Sequence, residues 1–342
     1  MKDFLQKIKF LLLFIPILFC NACSSASQST PIEKTAFKLN TIVTIKIYDS
    51  TDTDVLDHAM ALCDDYELLF SRTNPQSELY QLNHGLLTAD ENGYYSISSE
   101  TYQVISLGLH YVKLSNNSFD LAIAPLTSLW DFTSEEHTLP NDSDIQSVLP
   151  YLGSEDILLQ EPDKIAFAKD KMGIDLGAIA KGYIADRIKD YLLSQNVHSA
   201  TISLGGNVLC IGDKLGSPFT IGIQKPFANR NETIATMDIT DQSVVSSGIY
   251  ERFFEEDGII YHHILNPRTG YPYHNGLIAV TIVADQSADA DALSTTCFSM
   301  GPKQGMALIN SLDYADAIFI TDDYTIHYSD DFQNKYHVKQ TE

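Results

Sequence analysis

Cysteine, tryptophan and basic charge are all scarce in this 342-residue chain, which has five Cys, one Trp and 22 Lys plus Arg against 45 Asp plus Glu. Cys63, Cys210 and Cys297 stand far apart in apolar sequence, with no Cys-x-x-Cys spacing. An odd set of that kind argues against a disulfide framework, and buried free thiols are expected instead. The shortage of bases leaves a formal net charge of −23. Such a surface repels nucleic acid and anionic headgroups, so an anionic substrate needs a local cation, either a metal or a small basic pocket. Long apolar runs are lacking too. The one candidate, Phe10 to Phe19, is too short to span a bilayer comfortably. Ordinary Gly and Pro content, no short-period repeat and no extended low-complexity tract exclude collagen, solenoids and disorder.

What is present begins at the N-terminus. Lys2, Lys7 and Lys9 precede the apolar run, and small polar residues follow it, as in a secretory leader. Cys23 follows small Ala22 in the manner of a bacterial lipoprotein cleavage site, whereas the alternative, Cys20, follows bulky Phe19. The expectation is a signal peptide over 1–22, a lipid-anchored tether over 23–35 and a catalytic domain over 36–335. The lipid would hold the protein at the extracytoplasmic face of a bacterial cell membrane.

Alternation of β-branched residues predicts a strand over 36–48, and apolar residues at three- and four-residue steps predict a helix over 53–70. Further helices are expected at 100–115, 176–195, 288–300 and 303–311. Strands are expected near 199–204, 207–211, 219–223, 233–239, 259–265, 278–283, 316–321 and 324–328. Segment 130–170 reads as a peripheral excursion with short elements. Strands and helices mix without regular βαβ alternation, which favours an α+β fold of mixed or antiparallel sheets packed with helices.

Five segments carry chemistry. Asp175 to Asp186 runs through a Gly turn into a helix with Lys181 in its first turns, a place that suits phosphate, though an ordinary strand-to-helix turn looks the same. It lacks the Gly, Lys and Ser/Thr spacing of a Walker loop. Ser203-Leu-Gly-Gly-Asn207 lets a backbone approach a ligand or simply turns a hairpin. In His262-His263-Ile-Leu-Asn-Pro-Arg-Thr-Gly270, only one His can face a given site, because neighbours on a strand point oppositely. His263 suits a general acid or base, and Arg268 suits a phosphate or carboxylate. Asp291 and Thr295 lie one helical turn apart and suit a hard cation. Asp289 is explained by the helix dipole, but Asp291 sits among small apolar residues and calls for a partner. Ser118-Phe-Asp120, Pro125 and Trp130 place a carboxylate in what is otherwise core-like sequence.

In order and spacing, these segments resemble the ApbE family of FAD:protein FMN transferases. Leu39-Asn-Thr41, Phe70-Ser-Arg-Thr-Asn-Pro-Gln-Ser77, Ile221-Gly-Ile-Gln-Lys-Pro226 and Ser246-Ser-Gly248 belong to the same series, which spans roughly 36–330. The resemblance implies a two-lobed, T-fold-like catalytic unit. It implies Mg²⁺ held by Asp291, Thr295 and the main-chain carbonyl of Ala178. It implies FAD contacts from Leu39, Asp120, Asp175 and Lys181, and from the turn after the catalytic His263, with Ile264 and Arg268. The implied reaction moves the FMN half of FAD onto a Ser/Thr hydroxyl of a flavoprotein with a Ser/Thr-Gly-Ala-Ser/Thr-like segment, releasing AMP. FAD pyrophosphatase activity and non-catalytic flavin binding are the alternatives. Two departures stand out: the family's Met-Gly-Thr is Leu39-Asn40-Thr41 here, and the Asp usual in the turn after His263 is Asn266.

Overall fold

The computed structural model describes residues 30–134, 137–229 and 232–341. The predicted signal peptide, Cys20 and Cys23 lie outside the described residues. The chain enters the fold at Ile32, inside the span expected to be tether. Where one strand over 36–48 is predicted, β1 (Ile32–Lys38) and β2 (Thr41–Ile47) form an antiparallel hairpin. Its two turn residues, Leu39 and Asn40, have φ of 52° and 56°. A two-residue hairpin turn favours positive φ at both positions, and Asn tolerates it, which is how Asn40 replaces the glycine usual at this point.

Helix α1 (Thr53–Phe70) has its predicted bounds, and the Asp52 side chain caps it by accepting from the amides of Asp54 and Val55. Then follow α2 (Glu78–Asn83), β3 (Tyr95–Ser96), α3 (Ser99–Leu114), α4 (Ala124–Trp130), α5 (Asp142–Val148), β4 (Ile157–Gln160) and β5 (Lys164–Phe167). The sequence resolves only α3 among these, because six or seven residues are too few for a helical period to register.

Helix α6 (Ala180–Ser194) starts four residues later than predicted, because Asp175 Oδ1 accepts from the Gly177 amide at 2.8 Å and holds a turn ahead of it. Next come β6 (Ala200–Leu204), β7 (Asn207–Ile211), β8 (Phe219–Gln224), β9 (Thr233–Ile239), β10 (Ser243–Gly248), β11 (Phe253–Glu256), β12 (Ile259–His262) and β13 (Leu277–Ala284). Strand β12 ends at His262, three residues short of the prediction. Helix α7 (Ser287–Ile309) bends at Gly301-Pro302, the gap between the two predicted helices. Then β14 (Ala315–Thr321), β15 (Ile326–Tyr328), α8 (Phe332–Lys335) and β16 (Lys339–Gln340) follow, the last beyond the predicted domain end.

Eight strands make one antiparallel sheet in the order β1-β2-β6-β7-β10-β13-β14-β15. Neighbouring residues sort its two faces into two cores. Val245 and Ile282 join the cluster built with α1, α3, α6 and α7, while Val244 and Val283 join the one built with β8, β9 and α8. Covered on both sides, β13 is buried along its whole length and has no apolar alternation. The fold is α+β, as expected. Cys63, Cys210 and Cys297 are buried free thiols. No helix of the described residues is long and apolar enough to cross a membrane.

Candidate active site

One cavity of ≈ 520 Å³ gathers nearly all the expected residues, a size ordinary for a small-molecule site. Leu39, Asp120, Asp175, Ala178, Lys181, His263, Ile264, Asp291 and Thr295 all line it. Arg268 does not. It is exposed, and its guanidinium donates to the Asn116 carbonyl at 3.0 Å. The neighbouring Asn266 has a local task, since its Oδ1 accepts from the Arg268 amide at 2.9 Å and closes the turn. An amide oxygen serves there as well as a carboxylate, which accounts for Asn in place of Asp.

Each wall has a local cause. The tip of the β1–β2 hairpin brings Leu39 and Asn40 to the cavity. Asp120 ties its own loop to the segment before β4: it accepts from the Ala122 amide at 2.8 Å, the Gly153 amide at 3.0 Å and the Ser154 hydroxyl. Burial nevertheless pushes its carboxyl above the usual range. Asp175 is occupied as well, by the Arg72 guanidinium at 3.0 Å and the Thr127 hydroxyl at 2.8 Å. Lys181 reaches back to the Gly177 carbonyl at 3.3 Å.

The two histidines part company, as the strand geometry requires. His262 is 1 % exposed, takes the Ile264 amide on Nδ1 at 3.3 Å and sets Nε2 at 2.9 Å from the Tyr273 carbonyl. Nδ1 must then accept, so the proton sits on Nε2. Burial, with His274 adding to it, pushes His262 down to about 4. His263 faces the cavity with the opposite tautomer, because its Nδ1 lies 3.3 Å from the Arg252 carbonyl, which can only accept. Its Nε2 lone pair is therefore the one left for chemistry. Burial, followed by the Arg252 guanidinium and then His262, pushes His263 down to about 3, so it is neutral at physiological pH.

Asp291 is 4 % exposed, and burial raises its carboxyl even though Lys181 and the Gly182 amide, 2.9 Å from Oδ2, favour the ionised form. Thr295, one turn on, lies with its hydroxyl 3.3 Å from that of Ser247. Carboxylate, hydroxyl and the Ala178 carbonyl are hard oxygen donors of the kind Mg²⁺ prefers, and a dehydrated carboxylate at a cavity wall benefits from a cation. The donor set therefore fits Mg²⁺. Among the described residues no three or more His, Cys, Asp or Glu side chains converge on one point, so such a site would use mixed donors.

Three cavity residues escaped the sequence analysis as site residues. Arg72 lies within a segment of the family series, but nothing in that segment points to its ion pair with Asp175. Arg252 sits between β10 and β11, which the sequence does not resolve as strands. Among the described residues no carboxylate pairs with it, and its guanidinium reaches only the Asn40 carbonyl, at 3.5 Å. Asn207 is fully buried and lines the cavity, its Oδ1 accepts from Ser287 at 3.0 Å, and its Nδ2 has no partner among the described residues. A buried, unmatched amide donor is a cost that a ligand oxygen would relieve.

Comparison with known proteins places the chain in a family. The ApbE family model matches residues 39–319. A protein of Klebsiella pneumoniae named FAD:protein FMN transferase is 38 % identical over 280 residues, covering 82 % of this chain and 85 % of that one. One of the same name from Treponema pallidum is 28 % identical over 339 residues, 92 % of each. The crystal structure of the ApbE protein of Thermotoga maritima superposes with a TM-score of 0.80 at 30 % identity, covering 89 % of this chain and 99 % of that one. The Flavin Transferase ApbE of Vibrio cholerae, at 24 % identity and a TM-score of 0.79, has the same fold. On the family match and on the relatives, this chain belongs to the ApbE family.

Proposed function

We propose that the protein is a Mg²⁺-dependent transferase that moves the FMN half of FAD onto a Ser or Thr hydroxyl of an acceptor flavoprotein and releases AMP. The observation that carries the reading is one cavity holding a hard-oxygen set, unpaired cationic charge and a neutral histidine with a free Nε2. The names borne by its relatives support the transferase class and FAD as substrate.

Asp291, Thr295 and the Ala178 carbonyl would hold the cation, which when bound neutralises pyrophosphate charge. Lys181 and Arg252 bring positive charge to the same cavity, against a molecule whose net charge is −23. The acceptor hydroxyl attacks the FMN-side phosphorus, and its proton goes to His263 Nε2. The bond from that phosphorus to the bridging oxygen breaks, and AMP carries the oxygen away. The Arg252 carbonyl holds the His263 proton on Nδ1, which keeps Nε2 ready to accept. For the acceptor we propose a short Ser/Thr-Gly-Ala-Ser/Thr-like segment on a membrane flavoprotein. For the enzyme we propose an anchor at Cys23 on the extracytoplasmic face of the cell membrane.

The test is to incubate the protein with FAD and Mg²⁺, with and without an acceptor domain. Flavin fluorescence that stays on the acceptor through denaturing electrophoresis supports transfer. Stoichiometric AMP and free FMN without acceptor labelling would point to hydrolysis, and intact FAD would sink both. Asp291→Ala should lower turnover at least about 100-fold if the carboxylate holds the cation; an unchanged rate refutes that role.

A further inference from the structure

The start of each helix that borders the proposed cation site lacks a cap of its own. Ile179 before α6 and Gln286 before α7 make no side-chain hydrogen bond to the helix they precede. The first amides of a helix must still be satisfied, all the more when the helix end is buried. Here each helix serves the other. Asp186, in the second turn of α6, accepts from the Ser287 amide at 2.8 Å and the Ala288 amide at 2.9 Å, the first two of α7. Asp291, in the second turn of α7, accepts from the Gly182 amide of α6 at 2.9 Å. In both helices the amide served and the carboxylate given are four residues apart, so amide and carboxylate share one face. The crossing is close enough that a Cβ on Gly182 would collide with the Ser287 carbonyl.

We infer that Asp186 is a positioning residue for the reaction: by capping α7 it fixes Asp291 and Thr295 against the Ala178 carbonyl. The three oxygens come from the two sides of this crossing, Ala178 from the turn leading into α6 and the other two from α7. Both helices also pack on the large sheet, but the contacts that tie the start of one to the start of the other are these amide–carboxylate bonds. Asp186 is buried and is not among the residues lining the cavity, so it acts through α7 and not on the ligand. Two carboxylate oxygens match two amides, whereas Asn would turn an NH₂ group toward one of them. Ser287, whose amide Asp186 holds, also orients the Asn207 side chain, so the same cap steadies a second cavity residue.

The inference rests on the proposed cation reading, and the experiment separates the two. Full-length wild type, Asp186→Asn and Ser98→Ala, which removes the remote cap of α3, are titrated with Mg²⁺ in the presence of AMP. The rise in melting temperature is followed, and Mg²⁺ dependence of FAD turnover is measured alongside. Expected is a Mg²⁺ midpoint about tenfold or more higher in Asp186→Asn, in the range found when a partner of a metal ligand is lost. Much of kcat should return at saturating Mg²⁺, and Ser98→Ala should melt earlier with its midpoint unchanged. A midpoint for Asp186→Asn within twofold of wild type, whatever its melting temperature, overturns the inference. A wild type with no Mg²⁺-linked shift and no Mg²⁺ requirement overturns the cation reading and this inference together. Should Asp186→Asn fail to fold, Asp186→Glu, which keeps the charge but displaces it by a methylene, is judged by the same midpoint.

Discussion

At the scale of single residues, the arginine that reaches the cavity beside His263 is Arg252 and not the Arg268 that the sequence suggests. Arg268 belongs to a conspicuous turn, yet it holds the Asn116 carbonyl outside the cavity, while Arg252 lines the cavity without an acidic partner among the described residues. Arg252→Ala should raise KM for FAD about tenfold, the worth of one charge-assisted hydrogen bond, and Arg268→Ala less than about threefold. Steady-state kinetics on the two variants decides this, and the reverse order would refute it. His262 offers a second handle. Its pKa in the fold is about 4, against an ordinary 6.5. Between those values the unfolded chain takes a proton that the folded chain refuses, so the neutral-His contribution is complete above pH 6.5 and is lost as pH falls toward 4. Asp186, raised to about 6, works in the opposite sense over 3.8 to 6. Comparison with His262→Gln removes that common background. The stability advantage of wild type should shrink by roughly 3 kcal/mol between pH 7 and pH 4 in denaturant titrations. That Asp291, Thr295 and His263 belong to one site was legible because each places distinctive chemistry at helical or strand spacing, and all three line the cavity. Arg252 and Asn207 were not, because a lone Arg in a turn and an Asn after two Gly carry no pattern of their own.

At the scale of elements, legibility follows length and one-sidedness. Helix α1 was read to the residue because it shows one apolar face over eighteen residues and has an Asp cap. Strand β10 escaped as a strand because Ser-Val-Val-Ser-Ser-Gly alternates only weakly, its polar residues being spent on neighbouring hydroxyls: Ser243 on Ser287 and Ser247 on Ser294. The β1–β2 turn escaped because Leu39 carries no turn signal. The α6–α7 crossing depends on Gly182, and its closeness cannot be seen in either helix alone. Gly182→Ala should destabilise the fold by about 1–3 kcal/mol, although Ala is the better helix former, because the added methyl has no room. Urea unfolding checks it, and a neutral or stabilising effect would show that the helices can separate freely.

At the scale of the whole molecule, the fold hangs the cavity on loops and helix starts along one large antiparallel sheet, with the second core on the opposite face supporting that sheet. The α+β class was legible from the mixed order of elements, but the strand order was not, since pairings such as β2 with β6 join residues some 150 positions apart in sequence. The proposed lipid anchor makes its own prediction. Cys23→Ser should move the protein from the membrane fraction to the soluble one in cell fractionation, and unaltered partitioning would remove the lipid anchor from the picture. The hairpin that opens the fold gives such an anchor a measurable reach. Its turn forms part of the cavity wall, and its first strand starts only nine positions after Cys23. Nine residue steps of any chain reach at most about 30 Å, and β1 adds about 23 Å more. The place where FAD is cut would thus stay within about 50 Å of the lipid surface, and acceptors whose hydroxyl never comes that near would go unmodified.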